Sequence, residues 1–270
     1  MADADGLDYL PRLLGLPTRG GPAFPARRRG AAGGRRRPVP ASLGEHLLQG
    51  TVDADYPASG GYVLHLYHFH HPWSHRGYGG VCLSAATVVE DLVKDALRLW
   101  RAGASGTPGP AGRRIPARGP DRAAAAYELG RAAHLLADCW VPHHAAGVAG
   151  CGHGVYEAWL EEDGRWRDFA PSSGGVYRWR AVYRPEGDRH RVPHVLDWRN
   201  VRDWVDLAAH EALPWYDRHL DACRHPGYDK HFAPTAARLV PAAVRHLAGF
   251  LHLFFTLAGA APGGEEEQGP

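Results

Sequence analysis

In the stretch HLLADCWVPHHAAGVAGCGHGVYE, His134 and Asp138 stand four residues apart, His153 and Glu157 repeat the spacing, and His143 and His144 lie between the pairs. Four residues is about one helical turn, so each pair sets an imidazole and a carboxylate on one face, able to converge on one ion. Pro142 stops the first helix and lets His143 or His144 turn back toward its C-terminal end. Upstream, GTVDADYPASGGYVLHLYHFHHP contributes Asp55 and His68, with His65, His70 and His71 close by. These are the further ligands a second metal needs. Imidazole and carboxylate without thiolate suit zinc in an open, hydrolytic site better than a structural cysteine-rich one. A single His-x-x-x-Asp pair on a helix also fits a surface pair or a satisfied core hydrogen bond. The metal reading rests on two pairs in one short stretch with a histidine between them.

Helices must position these residues. VVEDLVKDALRLW places Val88, Val89, Leu92, Val93, Ala96, Leu97 and Trp100 on one face. RAAAAYELGRAAHLLADCW predicts a second helix ending at Pro142, and NVRDWVDLAAHEAL a third ending near Pro214. Residues 235–259 predict a fourth, and short helices are expected at 43–50 and 154–162. Residues 163–198 show no clean period and read as loop with a hairpin. The expected fold is all-α, a single helical domain over residues 43–259 with long loops. Residues 1–42, rich in Arg, Gly and Pro, read as a disordered arm, and 260–270 as a disordered tail.

The totals set limits on function. With 270 residues, 44% apolar and 22% charged, the chain has the balance of a soluble globular protein large enough for a real core. A net charge of +2 gives no overall pull toward nucleic acid or membrane. Histidine, at 18 copies, is the informative excess. The four cysteines form no CxxC pair and read as buried thiols, with only Cys139 and Cys151 near enough to the histidines to be considered as soft ligands. The first residues, MADADGLDYL, show no signal-peptide pattern, which leaves the localisation open between a cytoplasmic protein and a mis-set start. AARLVPAAVRHLAGFLHLFFTLAG carries Arg238, Arg245, His246 and His252, which favours a buried amphipathic helix over a transmembrane span.

Taken together, these motifs resemble the zinc-dependent bacterial phospholipase C family, which includes the catalytic domain of clostridial alpha-toxin and shares its fold with zinc-dependent single-strand nucleases. The family's H-x-x-x-D-x-x-x-P-x-H-A-A pattern is matched at His134, Asp138, Pro142, His144, Ala145 and Ala146. Its H-x-x-x-E is matched at His153 and Glu157 after a shorter loop, its G-x-x-A-A-D-Y by GTVDADY, and its H-F-Y-D-P by HFHHP. The resemblance spans about residues 43 to 258.

The resemblance implies that Asp55, His68, His134 and Asp138 hold one zinc and that His144, His153 and Glu157 hold a second. It selects His144 over His143. Asp138 would bridge to a third zinc, for two to three ions in all. The family's remaining third-site ligands are a histidine on the first helix and an N-terminal tryptophan. This chain has no histidine before His46 and no tryptophan before Trp73, leaving His46, His70 and His71 as possible substitutes. The implied reaction is metal-assisted hydrolysis of a phosphodiester, with Asp55 as the catalytic carboxylate that accepts a proton or positions water. The implied substrate is phospholipid at a membrane surface, cleaved on the glycerol side by a monomeric enzyme. Tyr56 matches an aromatic used for substrate binding, against a choline head group.

Two rivals remain at this stage. A nuclease of the same fold closes its second site with a histidine–aspartate pair after a longer loop, whereas this chain offers Glu157 after a short one, so nucleic acid is the less favoured substrate. A degenerate metal-binding domain without catalysis would account for the missing third-site ligands. The six arginines of ARRRGAAGGRRR also raise an arm that binds nucleic acid or anionic lipid.

Overall fold

The computed structural model describes residues 42–55, 66–101, 121–150, 152–171, 197, 199–222 and 228–259. Both termini, Tyr56, His65, Cys151, Cys223 and the expected hairpin lie outside the described residues. Nine α-helices are present among the described residues: α1 (Leu43–Asp53), α2 (Ala85–Arg101), α3 (Arg122–Asp138), α4 (Pro142–Ala146), α5 (His153–Glu161), α6 (Trp166–Phe169), α7 (Val201–Ala212), α8 (Tyr216–Ala222) and α9 (Phe232–Leu257). No strand occurs among those residues, so the all-α expectation holds; the one bridge joins His71 and Arg76.

Local chemistry sets the helix ends. Ser42 and Glu45 form a reciprocal capping box at the start of α1, satisfying two of its free N–H groups. Asp121 caps α3 by accepting from the N–H of Ala124. The core is built by the apolar stripes of α2, α3, α7 and α9. Val89, Leu92, Val93, Leu129, Leu135, Leu136, Trp204, Val205, Phe250 and Phe254 all meet within it.

The crossing of α1 and α3 is very close. A methyl group at Gly50 would lie 2.0 Å from the carbonyl oxygen of Tyr127, and one at Gly130 would lie 2.0 Å from that of Leu47. Only glycine at both positions lets the two backbones touch. This crossing sets the end of α1, and with it Asp55, beside the C-terminal half of α3.

Three expectations need correction. Helix α3 ends at Asp138 rather than at Pro142, because the chain turns at Cys139–Val141; Pro142 instead opens α4, where its missing N–H costs nothing. Residues 163–198 are not uniformly loop: the described part contains the short helix α6. Helix α9 begins at Phe232 and runs through Pro241. The carbonyl that would have received Pro241's hydrogen bond belongs to Ala237, on an exposed turn open to water.

By length and composition, α9 is the one described helix able to cross a membrane. Its buried face packs into the core, where Phe254 and Phe255 meet Trp100 edge-on, and the indole N–H of Trp140 donates to Nδ1 of His246 at 3.1 Å.

Candidate metal centre

The structure brings Asp55, His68, His134, Asp138, His144, His153 and Glu157 to the wall of one cavity of about 680 Å³. Helix α3 presents His134 and Asp138 one turn apart; Asp55 comes from the turn after α1, and His68 from the segment before α2. Asp138 Oδ2 lies 2.6 Å from Nδ1 of His68, 3.3 Å from Nε2 of His134 and 3.9 Å from Nδ1 of His144. Asp55 Oδ1 lies 3.2 Å from Nε2 of His134 and 3.9 Å from Nδ1 of His68. One carboxylate thus stands among three imidazoles, and a second carboxylate closes the quartet on the cavity side.

The remaining three residues form a tighter group. Nε2 of His144 and Nε2 of His153 are 2.7 Å apart, and Glu157 Oε1 is 3.2 Å from the first and 3.1 Å from the second. Helix α4 supplies His144, and α5, which starts at His153, carries the other two. Gly147, at φ 73°, ends α4 in the left-handed region and turns the chain toward α5. His144 donates through Nδ1 to the carbonyl of His68 at 2.8 Å. That bond places the proton on Nδ1 and leaves the Nε2 lone pair facing His153 and Glu157, the outer bond expected of a metal-ligating histidine. The ring is also held from behind by Phe69, stacked at 4.5 Å with an interplanar angle of 11°.

The donor set fits a zinc-type ion. Tetrahedral zinc with bonds of about 2.0–2.1 Å has donor–donor edges of roughly 3.3 Å. Four of the contacts within these two groups fall at 3.1–3.3 Å. Nε2 of His134 is buried with no hydrogen bond of good geometry, although two carboxylate oxygens stand at that distance. A shared cation would satisfy all three atoms at once.

The electrostatics of the cluster follow from carboxylates and imidazoles that stabilise one another's charged forms. Burial opposes charge on Asp138, yet the imidazoles of His134, His144 and His68 hold its carboxyl well below the usual range. Burial likewise opposes charge on His134, but Asp138 and Asp55 outweigh it and raise the imidazole well above its ordinary value of 6.5. His144 is raised against burial by Asp138 and Glu157. Glu157, also resisted by burial, is drawn down to about 2 by His144 and His153.

Other histidines sort differently. His143 is fully buried and packs edge-on against Tyr216 and His219; its ring also lies 5.6 Å from that of His153, but it belongs to no group of converging donors among the described residues. Of the possible third-site substitutes, His46 belongs to no group of converging donors among the described residues. His71 accepts from the N–H groups of Trp73 and Ser74 within its own turn. His70 turns to Asp206 instead, at 2.5 Å. Cys139 is buried, and burial together with Asp138 and Asp206 raises its thiol well above the ordinary value, so it stays protonated and joins none of the donor groups. The reading of the sequence did not anticipate Phe69 as the support of His144 or the meeting of His70, His75 and Asp206.

Neither a family model nor a curated protein sequence matches the chain. Among solved structures, the chain is similar to the alpha toxin of Clostridium absonum, with a TM-score of 0.52 and 17% identity over 83% of this chain and 57% of that one. It is equally similar to the alpha-toxin of an avian strain of Clostridium perfringens, with a TM-score of 0.52 and 16% identity over 83% of this chain and 56% of the other. The chain therefore spans a little over half the length of these toxins, and an all-α fold is what it shares with them.

Proposed function

We propose that this protein is a zinc-dependent phosphodiester hydrolase of the phospholipase C type, acting on phospholipid. The observation that carries the reading is the convergence of four imidazoles and three carboxylates on one cavity, at donor spacings suited to zinc. Asp55, His68, His134 and Asp138 would hold one ion, and His144, His153 and Glu157 another. Bound zinc would supply Lewis acidity to the phosphoryl oxygens and bring the pKa of a water toward about 7.

The chain's own residues do the rest. Asp55 keeps a side chain 40% exposed at the cavity, and interaction with His134 lowers its pKa against the effect of burial. It is therefore a carboxylate at neutral pH, which would orient a water and take up its proton. Asp138, wedged among three imidazoles, fixes their relative positions. Phe69 and the carbonyl of His68 hold His144 in one orientation.

The cavity lining favours lipid over nucleic acid. Leu66, Ala137, Val141, Ala149 and Leu160 present apolar surface for glycerol and acyl groups, and among the described residues no Lys or Arg lines the cavity. A polynucleotide substrate would call for cations along its backbone.

The test is hydrolysis of phosphatidylcholine and phosphatidylethanolamine vesicles by the zinc-loaded chain, with single-stranded DNA in parallel. The proposal expects diacylglycerol and a phosphorylated head group, release blocked by a chelator and by His134→Ala. Cleavage of DNA with vesicles untouched would move the assignment to the nuclease, and cleavage of neither would leave a metal-binding domain without catalysis.

A further inference from the structure

Behind the cavity wall lies a second group of potential ligands that the hydrolytic reading does not use. Nε2 of His70 is 2.5 Å from Asp206 Oδ1, and Nδ1 of His75 is 3.0 Å from the same oxygen. All three donor atoms lie within 4.8 Å of one another. His70 is fully buried and Asp206 nearly so, while His75 sits at the surface.

We propose that His70, His75 and Asp206 form a separate structural site for a zinc-class divalent transition metal, tying the 71–76 turn to α7. Three features point that way. Two imidazole nitrogens and a carboxylate form a ligand set that suits such a metal, with room for water as a fourth ligand on the exposed side of His75. The other nitrogen of His70 lies 2.5 Å from Ser84 Oγ, an oxygen that also accepts the N–H of Ala86 at 3.1 Å. Donation from His70 Nδ1 to that oxygen orients the ring and leaves the Nε2 lone pair toward Asp206, the outer bond a metal-ligating histidine needs.

The backbone supplies the third feature. His75 adopts φ 54°, a left-handed conformation that a residue with a side chain adopts at a cost. That conformation closes the turn, with His75 N–H bonding to the carbonyl of His71 at 2.8 Å, and carries the imidazole to Asp206. Trp73 seats the same turn on α7 by meeting the ring of His210 at 4.1 Å. The turn follows directly on His68, and the N–H of His70 bonds to the carbonyl of His144 at 3.0 Å. An ion here would therefore stiffen the back of the wall from which His68 and His144 reach the cavity.

The experiment compares zinc per chain, by plasma mass spectrometry after equilibrium dialysis, in the full wild-type chain and in His75→Asn. Asparagine tolerates the left-handed backbone and the position is exposed, so the variant should fold. The proposal expects one zinc fewer per chain in His75→Asn, with the same loss in Asp206→Asn as a second variant. Equal zinc content in the wild type and in a folded His75→Asn would overturn it and leave a hydrogen-bonded network. The result is independent of the hydrolytic reading, whose ions are tested by His134→Ala and His153→Ala.

Discussion

The two halves of the candidate metal centre are built in opposite ways. His144, His153 and Glu157 come from one short run of chain, the outer two only thirteen residues apart, and two short helices with a glycine turn suffice to assemble them. Asp55, His68, His134 and Asp138 come from three separate segments, with His68 and Asp138 seventy residues apart, and they meet only if α1 and α3 cross correctly. The first group depends on local geometry and the second on tertiary packing. Perturbations should therefore separate them.

Replacing a ligand should have the largest effect. His153→Ala removes one of three donors from the local trio and should weaken its zinc affinity by more than the roughly 10–100-fold that follows loss of an outer-shell partner. The quartet's ion should stay in place. Isothermal titration with zinc reads the two classes of site directly, and loss of both together would merge the halves into one unit.

Gly50→Ala should come next and should act on the quartet alone. A methyl group 2.0 Å from the Tyr127 carbonyl forces α1 away from α3, at a cost of about 1–3 kcal/mol or more for overpacking. Chemical denaturation should show the lost stability, and the affinity of the quartet should fall while that of the trio holds. A variant as stable as wild type would show that the crossing is looser than its geometry indicates.

Protons provide a subtler comparison. In the metal-free chain, His134 and His144 hold protons above their ordinary value of 6.5. Zinc requires neutral imidazoles, so binding at pH 7 should release protons into the medium, seen as a binding heat that depends on the buffer. The same shifts govern apo stability. The raised histidines stabilise the fold fully below about pH 6.5, and that contribution is lost as pH rises through their folded values. Glu157 acts in the other direction: its contribution is present above its ordinary 4.5 and is lost as pH falls toward about 2. The contribution of these three groups to the apo fold is thus greatest between about pH 4.5 and 6.5, while His219 and His246, held down by burial to about 4 and about 3, act the other way and cost stability as pH falls below 6.5. In the zinc-free chain the stability lost by His134→Ala should therefore be larger at pH 6 than at pH 9, and equal losses at both would contradict this.

The smallest effect is expected at Cys139. It sits beside Asp138 in sequence, yet its thiol is buried and protonated, so Cys139→Ala should leave zinc content unchanged and cost about 1 kcal/mol for a small cavity. Loss of an ion in that variant would restore it as a ligand.

The same contrast explains what could be read from the sequence. His153–Glu157 and His134–Asp138 were legible because a helix fixes the relation of residues four apart. Asp55 and His68 were placed by the resemblance, since no local period relates them to α3; the position of Asp55 depends on Gly50 and Gly130, which in the sequence are two glycines among 34. Residues alone left His143 and His144 open, because α4 turns one inward to the core and the other to the cavity. The cluster of His70, His75 and Asp206 was out of reach for a similar reason. It joins a surface turn to α7 across a long separation, and a left-handed histidine has no sequence signature. The run of α9 past Pro241 was legible from its apolar pattern, and a proline there is tolerated because the freed carbonyl faces water.

The central claim is that seven residues from two differently built halves hold separate ions. The most direct measurement is zinc per chain, by plasma mass spectrometry, for wild type, His134→Ala, His153→Ala and the double variant, with circular dichroism to show that each remains helical. The account predicts that each variant loses zinc relative to wild type and that the double variant loses the sum. A folded wild-type chain without zinc, or two folded variants that keep the full wild-type content, would contradict it.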